Sequence, residues 1–277
     1  MRRGDLQQLV EPLREAPEES AVLFDVDGTL APIVEDPAQA SVPEPTRAAL
    51  RKLAGRFALV ACVSGRRSLE ARRLVGVEEL TYAGNHGLEV LGPGEQEAAF
   101  DVSLGNRANA AREFVRDLDA ETLRAVGLRL EDKGPIQAFH WRGAPSELAA
   151  EARAREIAER AQRAGLEPRW GRKVLELRPT ANVDKGTAVR RLLERPGLEL
   201  ALFAGDDRTD LDAMHALRSL VEGGQLRRAV CIGVASEEAP PALAEEVDAL
   251  VAGPAELVAV LGLLAPAAGA KGHAAGG

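Results

Sequence analysis

Ala21-Val22-Leu23-Phe24-Asp25-Val26-Asp27-Gly28-Thr29-Leu30 begins as an apolar run and breaks into an acidic turn, and Leu200-Ala201-Leu202-Phe203-Ala204-Gly205-Asp206-Asp207-Arg208-Thr209-Asp210 repeats the pattern about 180 residues later. Both apolar runs are too short for helices and are bounded by turn residues, so each reads as a buried strand. In open α/β sheets the reactive crevice lies beyond the carboxyl ends of the strands, and carboxylates placed there converge on bound ligand. Carboxylates arriving from two strand ends therefore predict a hard-cation site in a metal-dependent enzyme.

The same alternation continues outward. Phe57-Ala58-Leu59-Val60-Ala61-Cys62-Val63 is a second apolar run and ends in Ser64-Gly65-Arg66. Between the two runs Pro43 to Arg56 carries a helical pattern, with Pro45 at its start. A helix near Ser68 to Leu74 leads to Leu80-Thr81-Tyr82-Ala83-Gly84-Asn85-His86-Gly87, and Ala229 to Val234 and Ala249 to Val251 read as further strands. This order predicts an α/β fold with a parallel sheet and helices on both faces. The middle differs. A helix over about Arg107 to Leu118 precedes the strand signals Leu128 to Glu131 and Ile136 to Trp141, which flank the turn Asp132-Lys133-Gly134-Pro135. A helix over Ser146 to Ala164 and the strand signals Pro168 to Trp170 and Val174 to Arg178 follow, which is an α+β unit inserted in the core. The expected organisation is a lead-in over 1–20, a discontinuous catalytic core over 21–105 and 181–264, an α+β cap over 106–180 and a disordered Ala/Gly/Pro tail over 265–277.

Composition bounds the function. The chain has 277 residues, 45% hydrophobic and 28% charged, with a formal net charge of −8, which argues against a nucleic-acid or anionic-membrane surface. No run approaches the ~20 apolar residues of a membrane span, and polar residues follow Arg2 and Arg3 where a signal peptide needs an apolar stretch. Cys62 and Cys231 sit inside apolar runs and read as core thiols in a reducing compartment. The expectation is a cytoplasmic protein, a monomer before any small oligomer, acting on a small molecule.

Alternation along an extended chain would place Asp25 and Asp27 on one side. Two adjacent carboxylates repel, which favours either a bound cation or a proton retained on one of them. With Asp206 they make an oxygen-rich site suited to Mg²⁺, and His and Cys are too scarce here for zinc. One carboxylate can attack phosphorus while a second, protonated, donates to the departing alcohol. Ser64, with the backbone N–H groups of a helix start, offers donors to a phosphoryl group. Of 35 basic residues only five are lysines, and two stand in the same tripeptide, Asp132-Lys133-Gly134 and Asp184-Lys185-Gly186. Lysine is a compact point charge, so its retention marks Lys185, and then Lys133, as phosphate or ligand contacts over solvated surface charges. Plainer readings stand beside these: paired Asp residues after strands are often caps or turn formers, and His140, Trp141 and Trp170 read as core or interface residues.

These motifs carry a resemblance. Leu23 to Leu30, Val63-Ser64-Gly65-Arg66, Lys185-Gly186 and Gly205-Asp206-Asp207 resemble the haloacid-dehalogenase superfamily of phosphatases. Ala31-Pro32-Ile33, Tyr82 to Gly87, Glu131-Asp132-Lys133-Gly134, Leu175-Glu176-Leu177-Arg178-Pro179 and Gly205 to Asp210 resemble, within it, the trehalose-6-phosphate phosphatase family. The resemblance runs from about Ala21 to Leu264 and implies a Rossmann-like core with an inserted cap. It implies Asp25 as nucleophile, forming an aspartyl phosphate, and Asp27 as acid and then base. It implies Mg²⁺ held by Asp25, the Asp27 carbonyl oxygen and Asp206, with Asp207 and Asp210 orienting the site. Ser64 and Lys185 would hold the phosphoryl group, Arg66, Asn85 and His86 would stand near the entrance, and Glu131, Lys133 and Glu176 would grip sugar hydroxyls. The implied reaction is hydrolysis of trehalose 6-phosphate. Phosphatases of sucrose phosphate or glycosyl-phosphoglycerate share this core, and a non-catalytic sugar-phosphate sensor is the alternative from another class. Leu211 and Met214-His215 depart from the family pattern of Glu and Phe-Arg.

Overall fold

The computed structural model describes residues 3–34, 39–100, 109–180, 183–236 and 239–265. It divides into two compact units, Met1–Ala99 with Val183–Gly277, and Phe100–Asn182.

The first unit begins with α1 (Arg3–Glu15), β1 (Ser20–Phe24), α2 (Glu44–Ala54), β2 (Leu59–Val63), α3 (Ser68–Val75), β3 (Thr81–Gly84), β4 (Glu89–Leu91) and, where it ends, β5 (Ala99–Phe100). The second contains α4 (Ala110–Arg116), α5 (Ala120–Ala125), β6 (Arg129–Lys133), β7 (Ile136–His140), α6 (Glu147–Arg163), β8 (Leu166–Gly171) and β9 (Val174–Pro179). The chain then returns through α7 (Lys185–Leu192), β10 (Leu200–Gly205), α8 (Arg208–Glu222), β11 (Arg228–Val234), α9 (Leu243–Glu246), β12 (Ala249–Val251) and α10 (Pro254–Leu264).

The large sheet has the order β12-β11-β10-β1-β2-β3-β4-β5. Pairing is parallel from β12 through β3, and β4 runs antiparallel to β3. The strand sequence is apolar on both faces because both faces are covered. Val22 and Phe24 of β1 point into a core with α1, α2 and α10, while Ala21 and Leu23 point into a second core with α7 and α8. Strand order reverses at β1, which lies between β10 and β2 with Phe24 opposite both Ala204 and Cys62. This register brings the acidic turns after β1 and β10 and the Ser64 loop after β2 to one end of the sheet, at the switch point where such folds bind ligands.

The expected lead-in over 1–20 is not peripheral: Leu6, Val10 and Leu13 of α1 are core residues, and Ser20 already belongs to β1. In the second unit β6-β7-β9-β8 form an antiparallel sheet. Phe139, Leu175 and Leu177 pack against Ala150, Ala154, Ile157 and Ala161 of α6, and Ser146 caps that helix by accepting from the Ala149 N–H. Asp132 and Lys133 extend β6 instead of lying in the turn, and the unit breaks at Phe100 and Asn182, not at 106 and 180. Residues 101–108, 181–182 and the tail from 266 lie outside the described residues.

Candidate active site

Lys185 is the first residue of α7, whose N-cap is Asp184, and its side chain enters the sheet end almost wholly buried. Its Nζ donates to Asp25 Oδ1 and Asp210 Oδ1, both at 2.7 Å, and lies 3.8 Å from Asp207 Oδ1. Asp25 follows β1 and is anchored by its N–H to the Ala204 carbonyl of β10 at 2.8 Å. Burial would suppress the Lys185 charge, but Asp210, Asp25 and Asp207 hold its pKa well above the ordinary value, so an ammonium stands among the carboxylates.

Asp25, Asp206 and Asp210 each bring a carboxylate oxygen within 4.8 Å of the others, and all three are buried. Burial pushes the Asp25 carboxyl up to about 7 against the pull of Lys185, with Asp206 pushing further. Asp206 is raised to about 6 by burial and then by Asp210. Burial, and after it the neighbouring carboxylates, disfavour both charged forms, and a cation would relieve that cost. Asp210 is spent on scaffolding: Oδ1 accepts from Lys185, and Oδ2 accepts the N–H groups of Asp206 and Asp207, each at 2.9 Å. Asp25 and Asp206 remain as oxygen donors, a set that suits a hard divalent cation. Gly28 preserves the space beside them. Its φ is +87°, and a Cβ there would lie 2.1 Å from Asp206 Oδ2. Thr29, which sequence reasoning passed over, donates from Oγ1 to Asp206 Oδ1 at 3.1 Å; its signal was its fixed place after Asp25-Val26-Asp27-Gly28. Asp207 is the N-cap of α8, accepting from Thr209 and Asp210 N–H groups in a capping box.

Asp27 does not join that trio. The strand ends at Phe24, and Asp27 turns to Arg66, which donates from Nε to Oδ2 at 2.7 Å and from Nη2 to Oδ1 at 2.6 Å. The Asp27 side chain is 41% exposed, and with Arg66, Asp206, Asp207, Ile33, Val34 and Ala40 it lines a cavity of about 240 Å³. Ser64 is buried, and its Oγ accepts from the Arg66 N–H at 3.1 Å. Helix α3 starts only at Ser68, so Ser64 lies in the loop before the helix and not at its first turn. Asn85 and His86 adopt left-handed φ values of 50° and 59°; Asn85 is wholly buried and His86 half-buried. Leu211 packs at the edge of the core beneath α8, Met214 is buried and exposed His215 meets Glu246 at 2.9 Å, which accounts for all three departures by packing or surface pairing.

In the second unit the expected residues form a charged cluster on the sheet. Lys133 Nζ lies 3.1 Å from Glu176 Oε1 and 3.8 Å from Glu131 Oε2, while Arg178 reaches Glu176 Oε2 at 2.6 Å and His140 reaches Glu131 Oε2 at 2.7 Å. Cross-strand register explains this, since Glu131, Ala138 and Glu176 stand in one row. Burial alone would raise the Glu176 carboxyl, but Lys133 and Arg178 hold it down to about 2. Of the two tryptophans Trp141 is core, whereas Trp170 is exposed, edge-on to Trp141 at 6.0 Å.

Solved structures share this architecture. A crystal structure of a trehalose-6-phosphate phosphatase related protein superposes with a TM-score of 0.65 at 25% identity, covering 87% of this chain and 95% of that one. The C-terminal domain of trehalose-6-phosphate phosphatase from C. albicans gives 0.67 at 23% identity, covering 96% and 97%. A haloacid dehalogenase-like hydrolase from Bacteroides thetaiotaomicron gives 0.58 at 14% identity, covering 88% and 98%. The fold is thus that of the haloacid-dehalogenase-like hydrolases, a parallel α/β core with an inserted cap. The model of the trehalose-phosphatase family matches residues 23–243, and the chain belongs to that family. A probable trehalose-phosphate phosphatase D from Arabidopsis thaliana is 36% identical over 217 residues, 73% of this chain and 58% of the relative. Trehalose 6-phosphate phosphatase RA3 from Zea mays is 36% identical over 233 residues, 77% and 64% respectively. The chain thus spans less than two thirds of the length of these two relatives.

Two outcomes follow from this geometry. A divalent cation is expected to raise the melting temperature of the unaltered protein, and Gly28→Ala, by displacing Asp206, to abolish that rise; no rise in the unaltered protein, or an equal rise in both, contradicts the assignment. Glu176 has a depressed folded pKa, so its contribution is complete above its unfolded value near 4.5 and is lost as pH falls toward 2. Followed by the fluorescence of Trp141 and Trp170, Glu176→Gln is expected to lose about 3 kcal/mol at pH 7 and to flatten the pH dependence between those values; a slope matching the unaltered protein refutes the ion-pair account.

Proposed function

We propose that the protein is a Mg²⁺-dependent phosphomonoesterase that hydrolyses trehalose 6-phosphate to trehalose and phosphate. The observation that carries this is the Lys185 ammonium held between Asp25 and Asp210 at the sheet's switch point, with Asp206 close enough to share a cation with Asp25. Family membership names the ester: the relatives in Arabidopsis thaliana and Zea mays are described as trehalose-phosphate phosphatases.

Asp25 attacks the phosphorus, the bond from phosphorus to the sugar oxygen breaks, and Asp27 gives that oxygen a proton. Water then attacks the aspartyl phosphate while Asp27 takes its proton, and inorganic phosphate leaves with Asp25 restored. In the resting protein both Asp27 oxygens accept from Arg66, so the fork has to open before Asp27 can donate a proton. Lys185 and Ser64 hold the transferring group, where positioning and charge stabilisation supply most of the catalysis. Asp25, Asp206 and the Asp27 carbonyl would hold Mg²⁺, which would supply positive charge to offset that of the phosphoryl oxygens. Asp207 and Asp210 fix the Asp206 turn and Lys185.

We assign Arg66, Asn85 and His86 to the phosphosugar entrance and Glu131, Lys133 and Glu176 to the sugar hydroxyls. The charged row on the second unit's sheet offers both donors and acceptors, as a polyol requires. A cytoplasmic setting fits the two buried free cysteines, the Cys231 thiol being pushed up to about 12 by burial. Among the described residues no helix is long and apolar enough to cross a membrane.

A phosphate-release assay over trehalose 6-phosphate, sucrose phosphate and a glycosyl-phosphoglycerate tests the reading. Turnover of trehalose 6-phosphate is expected to lead the panel, to vanish with EDTA and to return with Mg²⁺. Asp25→Asn is expected to fold and to release phosphate only at background. Retained turnover in that variant, or preference for another phosphosugar, rejects the corresponding part of the assignment.

A further inference from the structure

The segment Ala83 to Glu89 runs back along the loop from Ser64 to Ser68 and holds it at successive points. The Ser64 N–H donates to the Ala83 carbonyl at 2.9 Å, the His86 N–H to the Ser64 carbonyl at 2.9 Å, and the Asn85 N–H to the Arg66 carbonyl at 2.7 Å. The last tie is a side chain: Glu89 Oε1 accepts the Ser68 N–H at 2.6 Å. Little slack remains. A Cβ on Gly84 would lie 2.2 Å from the Ser68 nitrogen and 2.8 Å from Glu89 Oε1, and one on Gly65 would lie 2.8 Å from His86 Nε2. Gly87, at φ +105°, approaches Ala188 of α7, the helix that Lys185 begins. Left-handed Asn85 and His86 persist where surrounding contacts over-determine the backbone.

Ser68 opens α3, and the N-cap residue Arg67 makes no side-chain capping bond. Glu89 supplies an acceptor for the first N–H of the helix from β4, 21 residues along the chain, and is itself only 2% exposed. Burial pushes its carboxyl up, with the Ser68 N–H pulling the other way. A Ser, Asp or Asn at position 67 would accept from the second or third helical N–H and leave that of Ser68 unmet. What Glu89 adds is a link between the start of β4 and the loop after β2. That loop carries Ser64, and it carries Arg66, whose N–H fixes the Ser64 hydroxyl and whose guanidinium holds Asp27.

We propose that Glu89 is a positioning residue: by capping α3 from β4 it fixes the loop that presents Ser64 and Arg66, and through Arg66 the carboxylate of Asp27. The proposal rests on the phosphatase reading above. Hydrogen–deuterium exchange and steady-state kinetics on the full chain test it with Glu89→Gln, which keeps the acceptor oxygen, and Glu89→Leu, which keeps the bulk without it. Glu89→Leu is expected to raise exchange over residues 64–71 about tenfold while peptides of β10 stay unchanged. It is also expected to lower kcat for trehalose 6-phosphate about 100-fold with KM held within about threefold. Glu89→Gln is expected to restore both. Unchanged exchange or kcat in Glu89→Leu, or a Glu89→Gln protein as impaired as Glu89→Leu, overturns the proposal. Should Glu89→Leu fail to fold, Glu89→Ala, which removes the acceptor and the bulk together, takes its place with the same expected rise in exchange and fall in kcat, and unchanged values there overturn the proposal. Absence of turnover in the unaltered protein would refute the enzyme reading instead, and exchange over 64–71 would still show whether Glu89 holds the loop.

Discussion

One buried ammonium organises the core of this protein. Lys185 lies between carboxylates that belong to different elements, Asp25 after β1 and Asp210 in the first turn of α8, and donates to each at 2.7 Å. Taking such charges out of water costs several kcal/mol per ion, and removing one partner of a buried pair typically costs about 3–5 kcal/mol. Both Asp210 oxygens are used: besides Lys185, Asp210 takes the N–H groups of Asp206 and Asp207, so the turn after β10 is tied to Lys185. Three buried acids against one ammonium still leave an excess of negative charge. Burial first, and then the neighbouring carboxylates, raise Asp25 and Asp206, a cost to their charged forms that a divalent cation would offset.

Two consequences divide the acidic residues by role. Asp25 and Asp206 face the space that Gly28 keeps open, whereas Asp207 and Asp210 are consumed in capping α8 and holding the turn. Asp27, two residues beyond Asp25, escapes the cluster because the strand has ended, and it stands at the cavity held by Arg66. A buried carboxylate beside an ammonium and a half-exposed carboxylate at the cavity suit the two-step phosphoryl transfer proposed above, in which one group bonds to phosphorus and the other exchanges protons with leaving group and water.

Much of this was legible in the chain. Continuous apolar runs ending in Asp or Ser mark buried parallel strands, and their order marks the core, because both faces of such a sheet are covered. Asp25, Asp206, Ser64 and Lys185 could be picked out since each stands directly beyond a strand or at a helix start. The pairings could not. Arg66 with Asp27, and Glu89 with the Ser68 N–H, join residues 39 and 21 apart, and nothing local in their sequence announces the partner. Strand β4 is three residues long and offers too short a run for a period-2 pattern, so nothing in the sequence marks Glu89 as buried. In the second unit Glu131, Lys133 and Glu176 stood out by motif; Arg178 joins Glu176 from two residues along the same strand, while His140 reaches Glu131 only through strand register.

The most direct test of the account is to catch the bond that the geometry assigns to Asp25. Rapid quenching during turnover of trehalose 6-phosphate, reduction of the acyl phosphate with borohydride and mass spectrometry of the peptide spanning residues 21–30 should convert Asp25 alone to homoserine. Modification at Asp27 or Ser64 in place of Asp25, or an unmodified peptide under conditions of full turnover, would contradict it.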